Sequence, residues 1–175
     1  MKKVIPWIIA TVILAVIFHF VTIMAVPNSI MRLLAYKSEK AGGKVNTIYH
    51  RPPATEKSRR VVRPSPDLIY SAISYDISKN SLRISAPTPD TCWSLSIFAS
   101  DTENFYVIND KQVQSNNIEL ILTGKGKKQP SIENAILVQS PCDRGVVLLR
   151  MLIQDEAGID DLVKIQKQAK CEVIE

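Results

Sequence analysis

Six side chains have the types and spacing for ligand chemistry. Asp67 and Asp90 each follow a proline-rich corner, because Pro64-Ser65-Pro66-Asp67-Leu68-Ile69-Tyr70-Ser71 recurs 23 residues later as Pro87-Thr88-Pro89-Asp90-Thr91-Cys92-Trp93-Ser94. Each proline pair presets an extended backbone, each Asp can hydrogen-bond nearby amides in a turn, and each aromatic then enters a strand. The chemical reading is a carboxylate pair at one rim, with Tyr70 and Trp93 as a binding platform and Tyr75 and Asp76 beside them. Those six residues are the candidate contacts for a small-molecule ligand of unknown identity. The structural reading is two equivalent corners that lead into core strands. Ligand or catalytic chemistry would need two carboxylates converging in a pocket, with at least one pKa displaced.

Other chemistry is sparse. Gly124-Lys125-Gly126-Lys127-Lys128 is basic and glycine-rich but lacks the spacing and hydroxyl of a phosphate loop, so a hairpin turn explains it better. No G-x-S-x-G elbow or H-E-x-x-H pair occurs. His19 lies in an apolar run, and His50 lies in a segment expected to be flexible, where a triad base would be poorly held. Cys92, Cys142 and Cys171 form no C-x-x-C pair and have no nearby His, which speaks against zinc. They read either as three structural thiols or as one disulfide plus an odd thiol. Asp143-Arg144 beside Gly145 suggests a local ion pair at a turn. No catalytic residue, metal or cofactor is assigned.

The elements that would position these groups begin with a membrane anchor. In Val4–Val26 only Pro6, Thr11, His19 and Thr22 fall outside the apolar class, and as a helix the run extends roughly 35 Å, enough to cross a hydrocarbon core of about 30 Å. Trp7 suits the headgroup level. Lys2 and Lys3 resemble the start of a signal peptide, but the apolar run is too long and Ile23-Met24-Ala25-Val26-Pro27 lacks a small-x-small cleavage pattern. A single-pass anchor over residues 1–27 is therefore expected. A literal count of positive charge would put the body in the cytoplasm. The short tail with two Lys, and the ease with which long domains translocate, favour an inside amino terminus, hence the inner membrane with a periplasmic body.

Charge divides the remainder. Residues 1–63 carry a net +9 and residues 64–175 a net −4, within a chain of 175 residues and +5. The basic stretch, residues 28–60, reads as a juxtamembrane neck in which Arg32, Lys37, Lys40 and Lys44 are candidate lipid-headgroup contacts. A solvated linker explains the same charge. Without aromatic interleaving or a recognised fold, no nucleic-acid partner is expected. Ile30–Ala41 could prolong the membrane helix to a stop at Gly42-Gly43, and the prolines of residues 51–66 call for extended chain.

From Val61 the pattern turns to period two. Leu68–Ile77, Leu82–Ala86, Trp93–Ala99, Phe105–Asn109, Ile118–Thr123, Ala135–Gln139 and Val146–Ile153 read as strands separated by turn residues. Seven short strands without intervening helices predict a mainly β fold, an antiparallel sandwich or jelly-roll-like domain over residues 61–175. Ile159, Leu162, Val163, Ile165 and Ala169 share one side of a C-terminal α-helix, with acids in its early turns and Lys in its late ones.

The repeated corners, together with Tyr75-Asp76-Ile77, Asn104-Phe105-Tyr106-Val107-Ile108-Asn109-Asp110 and Arg144-Gly145-Val146-Val147-Leu148-Leu149-Arg150, resemble the bacterial envelope family called domain of unknown function 1254. The likeness covers about residues 60–155, and the leading helix matches the family's short anchored form. The resemblance implies a β-sandwich of jelly-roll type and no catalytic residue, because the family has no agreed activity. Longer relatives join this domain to another, domain of unknown function 1214, which implies a separate β-sandwich membrane protein as partner. Two functions follow as expectations: a non-catalytic binding or assembly module tethered to the membrane, or an enzyme or small-ligand receptor using the Asp/aromatic set.

Overall fold

A computed structural model describes residues 4–40, 43–59, 63–113, 115–127 and 134–174, apart from the side chains of residues 37–39 and 156. The expected body start at Val61, the Lys37 headgroup contact and Lys128 lie outside what is described.

The first element, α1, runs from Ile5 to Lys40, about 54 Å at 1.5 Å per residue. Residues 4–26 are all exposed, so nothing among the described residues covers their apolar side chains. The hydroxyl groups of its first eight turns are satisfied within the helix. Thr11 Oγ1 donates to the Trp7 carbonyl (2.9 Å), Thr22 Oγ1 to Phe18 (2.7 Å) and Ser29 Oγ to Ala25 (2.7 Å). A helix whose backbone and hydroxyls bond internally and whose surface is apolar suits hydrocarbon. It is the one helix among the described residues long and apolar enough to cross a bilayer. Beyond Pro27 it continues through the first part of the basic stretch.

Nine strands follow among the described residues: β1 (Ile48–His50), β2 (Leu68–Asp76), β3 (Ser81–Pro87), β4 (Trp93–Ala99), β5 (Asn104–Asn109), β6 (Asn117–Gly124), β7 (Ile136–Ser140), β8 (Arg144–Leu152) and β9 (Lys170–Ile174). They form a five-stranded sheet, β1-β2-β8-β4-β5, and a four-stranded sheet, β7-β6-β3-β9. Ile69, Ile73, Leu95, Ile97 and Leu149 of the first sheet share one buried cluster with Leu82, Ile84, Leu120 and Leu122 of the second. The protein is thus mainly β, two sheets facing across one core, behind a long N-terminal helix. The period-two alternation is the physical cause: β2 reads half-buried, buried, half-buried along all nine residues.

Helix α2 (Ile159–Gln168) ties the sheets together. Its Leu162 enters the core, and Gln166 Nε2 donates to the carbonyls of Tyr70 (2.8 Å) and Arg51 (3.2 Å) on the edge of the first sheet. The chain then enters β9 on the second sheet.

Three details differ from the sequence expectations. β1 and β9 are additional strands, and β1 lies within the stretch read as a neck. β6 and β7 pair in parallel, Leu120 opposite Ile136. Gly124-Lys125-Gly126-Lys127 therefore does not form a hairpin, because adjacent parallel strands require a crossover. It starts that crossover with a tight turn, Lys127 N to Gly124 O, at a Gly126 φ of 78°.

Candidate functional site

The structure does not gather the six candidate residues into one pocket. Asp67 and Asp76 stand at opposite ends of β2, roughly 30 Å apart at ~3.4 Å per residue. The repeated corners flank the end of β8: Ile153 N donates to Asp67 O and Leu152 N to Cys92 O, both at 2.8 Å, and Thr91 Oγ1 donates to Leu152 O at 2.9 Å. Both Asp67 and Asp90 are exposed. The aromatic platform does not form. In the ladder Ile69 and Trp93 both oppose Met151, whereas Tyr70 and Ser94 both oppose Arg150. Opposed residues share a face, so Trp93 points into the core and Tyr70 points outward. A one-residue offset separates the sequence repeat from the strand register.

The two remaining candidates converge with residues that were not singled out as ligands. At the α1 end of the β2–β8 pair, Tyr75 opposes Gly145 and Asp76 opposes Arg144. Tyr75 is buried, its ring over Gly145 and its hydroxyl sharing a hydrogen bond with Ser140 Oγ (3.0 Å), 3.3 Å from the Phe98 carbonyl. Burial drives its hydroxyl well above the ordinary phenol range, so it remains protonated. On the other face, Arg144 Nε donates to Asp76 Oδ2 at 2.7 Å. The ion pair expected within Asp143-Arg144 is replaced by this cross-strand pair: Arg144 opens β8 directly opposite Asp76 in the ladder, while Asp143 lies in the bend before the strand. Asn46, in the left-handed region at φ 59°, grips Asp76 from both sides: its Nδ2 donates to Asp76 O (2.8 Å) and its Oδ1 accepts from Asp76 N (2.7 Å).

A cavity of about 600 Å³ opens between this end of the sheet and the last turns of α1. Asn28, Met31, Arg32, Ala35 and Tyr36 line it from the helix, and Ser74, Asp76, Asp143, Arg144 and Val146 from the body. The Arg144 side chain is still 76% exposed while paired, which leaves its terminal nitrogens open. Arg32 and Asp143 make no ion pair among the described residues. Of the other basic candidates, Lys40 stacks over the Tyr36 ring at 4.8 Å and Lys44 is exposed.

Asp76 gives the site an acid signature. Burial works against its charge, but hydrogen bonds from Ser78 and the Arg144 guanidinium outweigh that and hold the carboxyl below its ordinary value. A depressed folded-state pKa stabilises the fold above the unfolded value of about 3.9, and the contribution disappears as pH falls through the lower folded value. Asp76→Asn is therefore expected to flatten the loss of stability below pH ~4. Denaturation midpoints of wild type and variant between pH 7 and pH 2.5 check this; parallel curves refute it.

His50 is held in place, contrary to the expectation of a flexible neck. It sits in β1 with Nδ1 2.9 Å from Ser71 Oγ, and burial followed by the nearby Lys167 charge lowers its pKa. Among the described residues no carboxylate hydrogen-bonds to it, and Ser71 is buried, so the pair lacks the orienting group and access of a nucleophilic triad. The three cysteines are free thiols. Cys142 donates to the Arg144 carbonyl (3.0 Å), and burial, reinforced by Glu172, pushes Cys171 up to about 12. Among the described residues no cluster of His, Cys, Asp or Glu could hold a metal ion.

Arg150, which in the sequence only closes the Arg144–Arg150 motif and carries no assigned role, is also part of an outward-facing polar contact. It lies on the outer face of the five-stranded sheet, where its Nη2 donates to Ser96 Oγ (2.8 Å) and its Nε is buried without a partner. The signal available was period two: along β8 the inward residues Val147, Leu149 and Met151 place Arg150 outward.

A family model described as "Protein of unknown function (DUF1254)" matches residues 45–173. No curated protein matches. Among solved structures, the VPA0106 protein from Vibrio parahaemolyticus matches with a TM-score of 0.66 at 8% identity, over 84% of this chain and 35% of that one. An uncharacterized protein from Burkholderia cenocepacia matches with a TM-score of 0.49 at 15% identity, over 74% and 34% of the two chains. The chain thus spans about a third of the length of each. The first likeness concerns the fold alone.

Proposed function

The chain belongs to the family described as protein of unknown function DUF1254, and from that premise we propose that it is a membrane-tethered, non-catalytic assembly module. In this reading α1 crosses the inner membrane once, the β body stands on the periplasmic side, and the outer face of the five-stranded sheet docks a second β-sandwich membrane protein, one carrying domain of unknown function 1214. The observation that carries the reading is a cross-strand row on that face. Tyr49, Ala72, Leu148, Ser96 and Val107 oppose one another in turn across all five strands. Four of the five are apolar or aromatic. Tyr49 and Val107 are exposed, and Ala72 and Leu148 are half-buried. Val146 and Phe98 form a second opposed pair beside Leu148. Ser96 is fully buried and accepts from Arg150, so the row presents apolar surface on either side of it, at Tyr49, Ala72 and Leu148 and again at Val107; exposed apolar groups on a sheet face are characteristic of docking surfaces. The Asp/aromatic receptor reading has no comparable support, since its residues divide between two ends and two faces.

Co-expression tests the proposal. The full chain, solubilised in detergent, is expected to co-purify in fixed ratio with an exported protein of the 1214 family and not with the same protein lacking its export signal. Leu148→Lys with Val107→Lys should reduce recovery at least tenfold while shifting the denaturation midpoint of the isolated chain little, because both side chains retain surface. Recovery of this chain alone from the wild-type preparation overturns the proposal.

A further inference from the structure

We propose that the cavity between α1 and the β body binds the headgroup of a zwitterionic phospholipid with a primary ammonium, its phosphate toward Arg32 and Arg144 and its ammonium toward Asp143. The proposal rests on α1 spanning the bilayer and is independent of any protein partner. Depth is the first argument. With Trp7 at one interface, the ~20 residues needed to cross about 30 Å end near Pro27. Arg32 then lies roughly 6–8 Å further along the helix, at headgroup level, and it is the first charged side chain of α1.

Charge is the second argument. The cavity holds cationic groups on both walls, Arg32 from the helix and the open guanidinium nitrogens of Arg144 from the sheet. It also holds one carboxylate, Asp143, outside any ion pair among the described residues. Asp76 is already occupied by Arg144 and by the amide of Ser78. A phosphate alone would leave Asp143 facing a like charge. A phosphate joined to an ammonium complements all three groups, and a primary ammonium can hydrogen-bond the carboxylate where a trimethylammonium cannot. Shape is the third argument: Met31, Ala35 and Val146 give the same cavity an apolar side for the glycerol and first methylenes.

The test uses the full chain reconstituted in nanodiscs, with resistance to alkaline extraction establishing insertion separately. The protein is then released with an equimolar mixture of phosphatidylethanolamine, phosphatidylcholine and phosphatidylglycerol, and retained lipid is counted by native mass spectrometry. Phosphatidylethanolamine is expected to be retained about five-fold over phosphatidylglycerol. Arg32→Ala should reduce its retention about five-fold, the ratio expected for one basic residue at a membrane surface. Asp143→Lys should shift preference to phosphatidylglycerol. Equal retention of the three lipids, or an unchanged profile in both variants, overturns the proposal. Competition by water-soluble glycerophosphoethanolamine at lipid-like concentration would also overturn it, by showing a soluble ligand in place of a lipid. An extractable chain removes the spanning premise and the proposal with it, whereas an inserted chain without lipid preference sinks the proposal alone.

Discussion

Gly145→Ala is expected to cost on the order of 3 kcal/mol or more, or to prevent the body from folding. A Cβ built at this position would overlap the carbonyl oxygen of Phe98 and meet the Tyr75 hydroxyl at 2.5 Å and its ring carbon Cζ at 2.6 Å. The requirement is one of space, since the neighbours on both sides are backbone-paired: Gly145 opposes Tyr75 on β2 and Ala99 on β4. The ring that fills the glycine's vacancy is itself anchored through Ser140. Moving it would strand a buried hydroxyl, and the Phe98 carbonyl could not follow without breaking the β4 ladder. The combined variant Tyr75→Ala with Gly145→Ala removes the ring clash but not the carbonyl clash and should therefore not recover stability. Gly158→Ala provides the control, because a Cβ there meets nothing within 4 Å and its φ is an ordinary −88°. Denaturant unfolding of the detergent-solubilised chain reads all three. A Gly145→Ala midpoint equal to that of Gly158→Ala would show that β8 lies elsewhere.

That crowded point also shows what the sequence can and cannot reveal. Each of the seven anticipated strands is present within about two residues, because a strand with one buried face encodes its own period. The apolar run of α1 and the acid-first pattern of α2 were equally plain. β1 escaped because three residues cannot display a period. β9 escaped because its Lys170, Glu172 and Val173 are exposed, and only pairing with β3 defines it. The site was half legible. Tyr75, Asp76, Arg144 and Gly145 all stand out in the sequence, but as separate pieces of a motif set. Their convergence depends on the β2–β8 register, which couples residues 68 positions apart. Nothing local in the sequence reports such a pairing, or the approach of Arg32 from α1.

Trp93→Ala is expected to lose about 3–5 kcal/mol, the range for emptying an aromatic side chain from a core. Tyr70→Ala should lose much less. The repeated corners make the two aromatics look equivalent, and a ligand platform would require both to be outward and dispensable for folding. The ladder makes them opposites. Trp93 is 5% exposed among Ile69, Leu149 and Met151. Tyr70 is half-buried on the outer face, where its hydroxyl accepts from the Ser65 amide at 3.0 Å. Removing Tyr70 frees one amide that water can reach, whereas removing Trp93 leaves a cavity that the two paired sheets cannot close. Denaturant unfolding followed by far-ultraviolet circular dichroism gives the comparison without relying on the deleted chromophore. Similar, small losses in both variants would place Trp93 at the surface, and the sequence repeat would then again stand as a binding rim.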